Sequence, residues 1–162
     1  MNKIYKGQVS LLLSVLPEIA KEKCFALYGG TAINLFVREM PRLSVDIDLT
    51  YVPLKDRQTS LDKIADALER MKESVLLVLP RVKVQHQKEV SKLQISYQGF
   101  QIKVEVNQTN RGVLSDPVEY PLCETAQNQF DAFCSTPIVP LAQLYGGKHM
   151  YRFRSTTSEG YF

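Results

Sequence analysis

Apolar positions change period several times along this chain, and each change marks an element. Val9, Leu12, Leu13, Leu16, Ile19 and Ala20 recur at helical spacing, while Glu18 and Lys21 fall off that stripe, which predicts an amphipathic helix near the N-terminus. The segment resembles a signal peptide in having Lys3 and Lys6 before an apolar run, but no small-residue cleavage site follows it. Cys24 to Tyr28 is a short apolar run ending at Gly29-Gly30, the pattern of a buried strand. Thr31 to Met40 returns to helical spacing through Ile33, Leu35, Phe36, Val37 and Met40, and Pro41 stops it. Leu43 to Tyr51 then alternates as a second strand.

Thr59 to about Glu73 predicts another helix, with Leu61, Ile64, Ala65, Leu68 and Met71 at core spacing. Arg81 to His86 has strand character. Lys92 to Tyr97 and Gln101 to Asn107 both alternate, and the intervening turn residues join them as a hairpin. A looped stretch carrying Pro117 and Pro121 follows, and Pro137 or Pro140 opens a last helix reaching about Tyr151. The fold class is therefore α+β: a short mixed or antiparallel sheet with helices packed on one face. Residues 1–150 form the domain, and the tail 151–162 has no apolar period and is expected to be irregular.

Composition narrows the function only slightly. With 44% hydrophobic residues, 162 positions suffice for one compact domain, and 23% charged residues argue against wholesale disorder. A net charge of +3 permits a nucleotide or RNA partner without demanding one. Cys24, Cys123 and Cys134 lack CxxC spacing, which disfavours a disulfide framework or zinc site and suits a reducing cytoplasm. His86 and His149 stand apart, so they and the cysteines are expected to be structural or surface residues. No stretch is long enough to span a bilayer.

The chemistry concentrates in residues 28–51. A glycine pair between a strand and a helix lets the backbone turn sharply and approach a ligand closely. The first turn of the helix that follows offers amide N–H groups and the positive end of a dipole, which suits phosphate, and Thr31 can add a hydroxyl. Neither a GK[ST] P-loop nor a GxGxxG turn is present. On the next strand Val45, Ile47 and Leu49 face one way, and Ser44, Asp46 and Asp48 the other. Two aspartates at that spacing lie roughly 6–7 Å apart at Cα, and a hard cation such as magnesium or manganese relieves their repulsion. Further along, Ile102, Val104 and Val106 form a buried face and leave Lys103, Glu105 and Asn107 on the other. Were that strand to pair beside the aspartate strand, Glu105 would join Asp46 and Asp48 on one surface. Three carboxylates can hold two metal ions about 3.5–4 Å apart.

Gly29-Gly30, a helix, then Ser44, Asp46 and Asp48 on a strand, then an acid on a later strand: this order resembles the nucleotidyltransferase superfamily. Residues 28–51 are most similar to the AbiEii/AbiGii-type toxin nucleotidyltransferases, whose GGTAL-like turn precedes an R-x-S-x-D-[IL]-D-[LF] segment matched here by Arg42, Ser44, Asp46 and Asp48. The resemblance spans about residues 8–150. It implies that Gly29, Gly30, Thr31, Arg42 and Ser44 hold a triphosphate and that Asp46, Asp48 and Glu105 hold metal. It places a phosphate-contacting lysine on a later helix, a position taken by Lys148. It implies a magnesium-dependent transfer of a nucleoside monophosphate from an NTP to an acceptor, tRNA or another RNA, by the toxin of a toxin–antitoxin or phage-defence pair with a cognate antitoxin protein. Family members usually continue with more helices after that lysine, so the C-terminal helical region is expected to be missing.

Simpler readings stand beside these. The glycine pair alone is an ordinary tight turn, and the aspartates alone are the solvent face of a strand. Glu105 can be a solvated carboxylate paired with Lys103 or Lys92, Lys148 an exposed helix lysine, and Arg42 a loop-positioning residue. The rivals to an RNA-modifying enzyme are a non-catalytic remnant that keeps the fold and a small-molecule nucleotidyltransferase of the aminoglycoside type. Without the missing helices, Leu141, Leu144 and Tyr145 are expected to lack cover, which favours self-association.

Overall fold

The computed structural model of the chain describes residues 3–37, 45–108, 113 and 115–145. Arg42, Ser44, Lys148, His149 and the tail 151–162 lie outside the described residues.

Helix α1 (Lys3–Ile19) buries Val9, Leu12, Leu13, Leu16 and Ile19 as its spacing predicts; Leu11 and Val15 widen the stripe, Glu18 is buried rather than off it, and Ala20 falls just past the helix. Strand β1 (Phe25–Tyr28) leads directly into a short helix, α2 (Gly29–Ala32), which continues as a π-helical turn over Ile33–Val37. Strand β2 (Ile47–Tyr51) follows, shorter than the alternation from Leu43 suggested. Helix α3 (Arg57–Val78) begins at Asp56, whose side chain accepts a 3.0 Å bond from the Thr59 N–H and caps the first turn. The helix runs past the predicted end near Glu73. Val75 extends the buried line of Ile64, Leu68 and Met71, while Leu77 and Val78 point to solvent, and those two exposed apolar residues obscured the period.

Strands β3 (Lys83–Gln87), β4 (Lys92–Tyr97) and β5 (Phe100–Val106) form an antiparallel meander. The β4–β5 turn places Gln98 at φ 49° and Gly99 at φ 84°, the double positive φ that matches the twist of a tight hairpin. The predicted loop around Pro117 and Pro121 instead holds strand β6 (Val118–Pro121) and helix α4 (Glu124–Phe130). β6 is an edge strand, where proline costs least. Pro137 does not open a helix; it lies in strand β7 (Ser135–Ile138), which meets β1 in parallel at Leu27↔Ile138 and β6 antiparallel. The helical turn begins after Pro140, over 141–145, with the Leu144 N–H bonded to the Pro140 carbonyl at 2.9 Å.

These strands make one seven-stranded mixed sheet in the order β3-β4-β5-β2-β1-β7-β6. Register puts Phe25, Leu27, Ile47, Leu49, Tyr51, Leu93, Ile95, Ile102 and Val104 on one face, all buried. Helices α1 and α3 pack on β3–β5 and on each other. Burying each such side chain contributes roughly 1.5–3 kcal/mol, which holds the layer together. The α+β class and the one-sided layering of α1 and α3 therefore stand. The exposed C-terminal surface stands only in part: Leu141 is 40% exposed, but Leu144 is 5% exposed because it reaches into the core.

Candidate active site

The site is built where β1 ends. Tyr28 is extended, and Gly29 reverses the chain at φ +82°, a left-handed value that side-chain-bearing residues avoid. A β-carbon there would sit 2.8 Å from Asp48 Oδ2, so the absent side chain lets the turn lie against the carboxylate. Gly30, exposed, is in the first turn of α2, and Tyr28 contributes no capping side chain to that turn. The helix therefore starts at Gly29 rather than at Thr31.

Strand register assembles the remaining groups. β1 and β2 set Tyr28 opposite Asp48, β2 and β5 set Asp48 opposite Glu105, and β4 sets Lys92 opposite Glu105. The sequence placed Asp48 and Glu105 on polar strand faces; the parallel β2–β5 pairing makes those faces one row. Of the two lysines weighed as partners for Glu105, Lys92 makes the contact, Nζ to Oε1 at 3.7 Å.

The electrostatics follow from that row. The Asp48 carboxyl is pushed up from 3.8 to about 6, chiefly by burial and then by the neighbouring Glu105 and Asp46 carboxylates. Burial also raises the Tyr28 phenol, with Asp48 adding to the shift; its hydrogen bond with the Asn107 side chain pulls the other way. Asp46 precedes β2 and is exposed. Its carbonyl accepts a short hydrogen bond from the buried Thr31 hydroxyl, which ties the glycine helix to the aspartate segment. Thr31 thus has a positioning contact that the sequence did not suggest. Tyr28 was also missed as a site neighbour, since only the register reveals it, and Asn107, already placed on the face of Glu105, is tied to the site by its bond with Tyr28.

Among the described residues no three His, Cys, Asp or Glu side chains stand close enough to hold an ion unaided. Magnesium rarely requires this, because it is bound through one or two carboxylates and completes its shell with water and phosphate oxygens. Asp48 fits that description. It is a partly buried carboxylate whose two acidic neighbours add to the burial that raises its pKa, and their mutual repulsion is what a hard dication would relieve.

Two other features lie apart from the site. A cleft of about 410 Å³ between α1, the end of α3 and Phe100 carries no carboxylate and sits at the opposite end of β5 from Glu105. His86, expected to be structural, is buried under α3 with Nδ1 3.1 Å from Glu69 Oε1.

A family model described as nucleotidyl transferase AbiEii toxin, type IV toxin–antitoxin system, matches residues 10–157. The chain belongs to the AbiEii family. Neither a curated protein nor a solved structure matches it. No helix among the described residues is long and apolar enough to cross a membrane.

Proposed function

We propose that this AbiEii chain transfers a nucleoside monophosphate from an NTP to an RNA acceptor, tRNA foremost, with magnesium or manganese held by the carboxylates of Asp46, Asp48 and Glu105, one or two to an ion, and the shell completed by water and phosphate oxygens. The observation that carries the reading is the Asp48–Glu105 pair, aligned by strand register directly against the Gly29 turn. The metal supplies charge neutralisation at the phosphates and a lowered pKa at the acceptor hydroxyl.

The chain's own residues do the rest. Gly29 keeps the backbone flush with Asp48, so a triphosphate bound at Gly29 and Gly30 lies beside the carboxylates. Thr31 holds the Asp46 segment in place through its carbonyl. Arg42, Ser44 and Lys148 complete the phosphate contacts by family resemblance, with Lys148 also among the catalytic groups. The biological role is that of a cytoplasmic toxin, in a toxin–antitoxin or abortive-infection system, opposed by a cognate antitoxin protein. Leu141 offers an exposed apolar point for self-association.

Incubation of the protein with each α-labelled NTP, magnesium and tRNA tests the reading. Label should enter RNA with wild type and fall by three orders of magnitude or more with Asp48→Asn. Absence of transfer to any RNA contradicts it, and label entering an aminoglycoside instead would assign a small-molecule acceptor.

A further inference from the structure

The side of β3–β5 turned away from α1 and α3 has a composition the proposed chemistry at Asp48 does not explain. Alternation and register define it. Val84, Leu93, Ile95, Ile102 and Val104 take the helix-covered face, so the opposite face carries Lys83, Gln85, Lys92, Gln94 and Lys103, with Glu105 at its edge. Antiparallel sheets commonly leave one face to water, but such faces usually mix both signs of charge. Here the cations and amides lead up to the carboxylates: Gln85, Gln94 and Lys103 share a row, and the next row toward the site is Gln87, Lys92 and Glu105, continuing to Asp48. Lys92 is engaged by Glu105. Among the described residues, Lys83 and Lys103 have no carboxylate partner within ion-pair distance.

We propose that this open face of β3–β5 is a track for a single-stranded nucleic acid, which it guides toward the Asp48–Glu105 row. The inference rests on the RNA-acceptor reading given above and adds the surface that binds the acceptor. Strand spacing and rise put Lys83 and Lys103 about 12 Å apart on a diagonal, with Lys92 about 8 Å further on toward the site. That spacing lets separate lysines meet separate phosphates of one strand. The interleaved glutamines carry both donors and acceptors, which suits base edges and sugar hydroxyls. The charge gradient also has a functional sense. Cations hold the body of the strand, and the carboxylates take the metal at its reacting end, where an anionic backbone alone would be repelled.

Fluorescence anisotropy with a short labelled single-stranded RNA tests the track on wild type, on Lys83→Glu/Lys103→Glu and on the neutral pair Lys83→Gln/Lys103→Gln. Both double variants alter exposed or half-exposed strand positions, and their circular dichroism should match wild type. The proposal expects RNA affinity to fall at least tenfold in the glutamate pair and less in the glutamine pair. The slope of log affinity against log salt should shrink by about 1.4 in the glutamine pair, at about 0.7 per lost phosphate contact on a single strand. Magnesium-dependent NTP binding should be unchanged in both. RNA affinity equal to wild type in the glutamate pair overturns the track, as does wild type that binds polyglutamate in preference to RNA. If wild type binds RNA through these lysines but no NTP with magnesium, the track stands and the catalytic reading fails.

Discussion

Gly29 and Asp48 pack so closely that a β-carbon on the glycine would lie 2.8 Å from the aspartate Oδ2. The turn and the carboxylate are therefore one feature, although they are 19 positions apart in the chain. Gly29→Ala should destabilise the fold by about 1–2 kcal/mol from the left-handed backbone alone, with the clash adding to it. Gly99→Ala provides a control: φ is similar at +84°, but the added carbon meets nothing within 4 Å. Thermal melts should place Gly29→Ala below Gly99→Ala, and nucleotide binding should be lost only in the former.

Asp48 gives a pH dependence with a definite sign. Its carboxyl titrates near 3.8 when unfolded and about 6 when folded, so between those values the folded protein binds the extra proton. The metal-free protein should lose stability as pH rises from about 4 through 6. Asp48→Asn removes that penalty, so the metal-free variant should melt above wild type at pH 7–8, with the difference closing toward pH 4. Magnesium affinity of wild type should move oppositely, strengthening as pH rises through 6. Melting curves across that range with EDTA or with magnesium check both.

Thr31 ties the glycine helix to the Asp46 segment through a buried hydroxyl. Thr31→Val keeps the volume and removes the donor, which should cost about 1 kcal/mol of stability. Because Asp46 loses its anchor, turnover should fall further than stability alone explains. Thr31→Ser should restore most of both. Denaturant titration alongside label transfer separates the two effects.

Much of this was legible in the sequence because it is local. The helical stripe of α1, the β4–β5 hairpin and the glycine turn before paired aspartates follow from spacing and turn chemistry. Glu105 could be assigned to the site only conditionally, since its place depends on the parallel β2–β5 pairing between segments more than fifty residues apart. The contributions of Tyr28, Asn107 and Thr31 needed the same non-local register. The C-terminal half misled for another reason. β6 and β7 are short strands at one edge with prolines in both, so proline signalled a loop and a helix start where tertiary pairing makes strands.

Lys92 restrains Glu105 from 3.7 Å in a partly exposed ion pair. Pairs of this kind are worth about 0.2–1 kcal/mol. Lys92→Ala should therefore free Glu105 and remove a repelling cation, tightening magnesium binding a few-fold in the absence of nucleotide. Unchanged or weaker metal affinity by calorimetry would show that Glu105 is not a ligand.

The carboxylates around Asp48 are proposed to form a metal–nucleotide site. This is tested most directly by calorimetric titration of each of the four NTPs into wild type and Asp48→Asn, with magnesium and with EDTA. Wild type should bind at least one NTP in a magnesium-dependent way, and the variant should remain folded and lose that binding. Equal binding by wild type and Asp48→Asn, or no NTP binding by either, would contradict it.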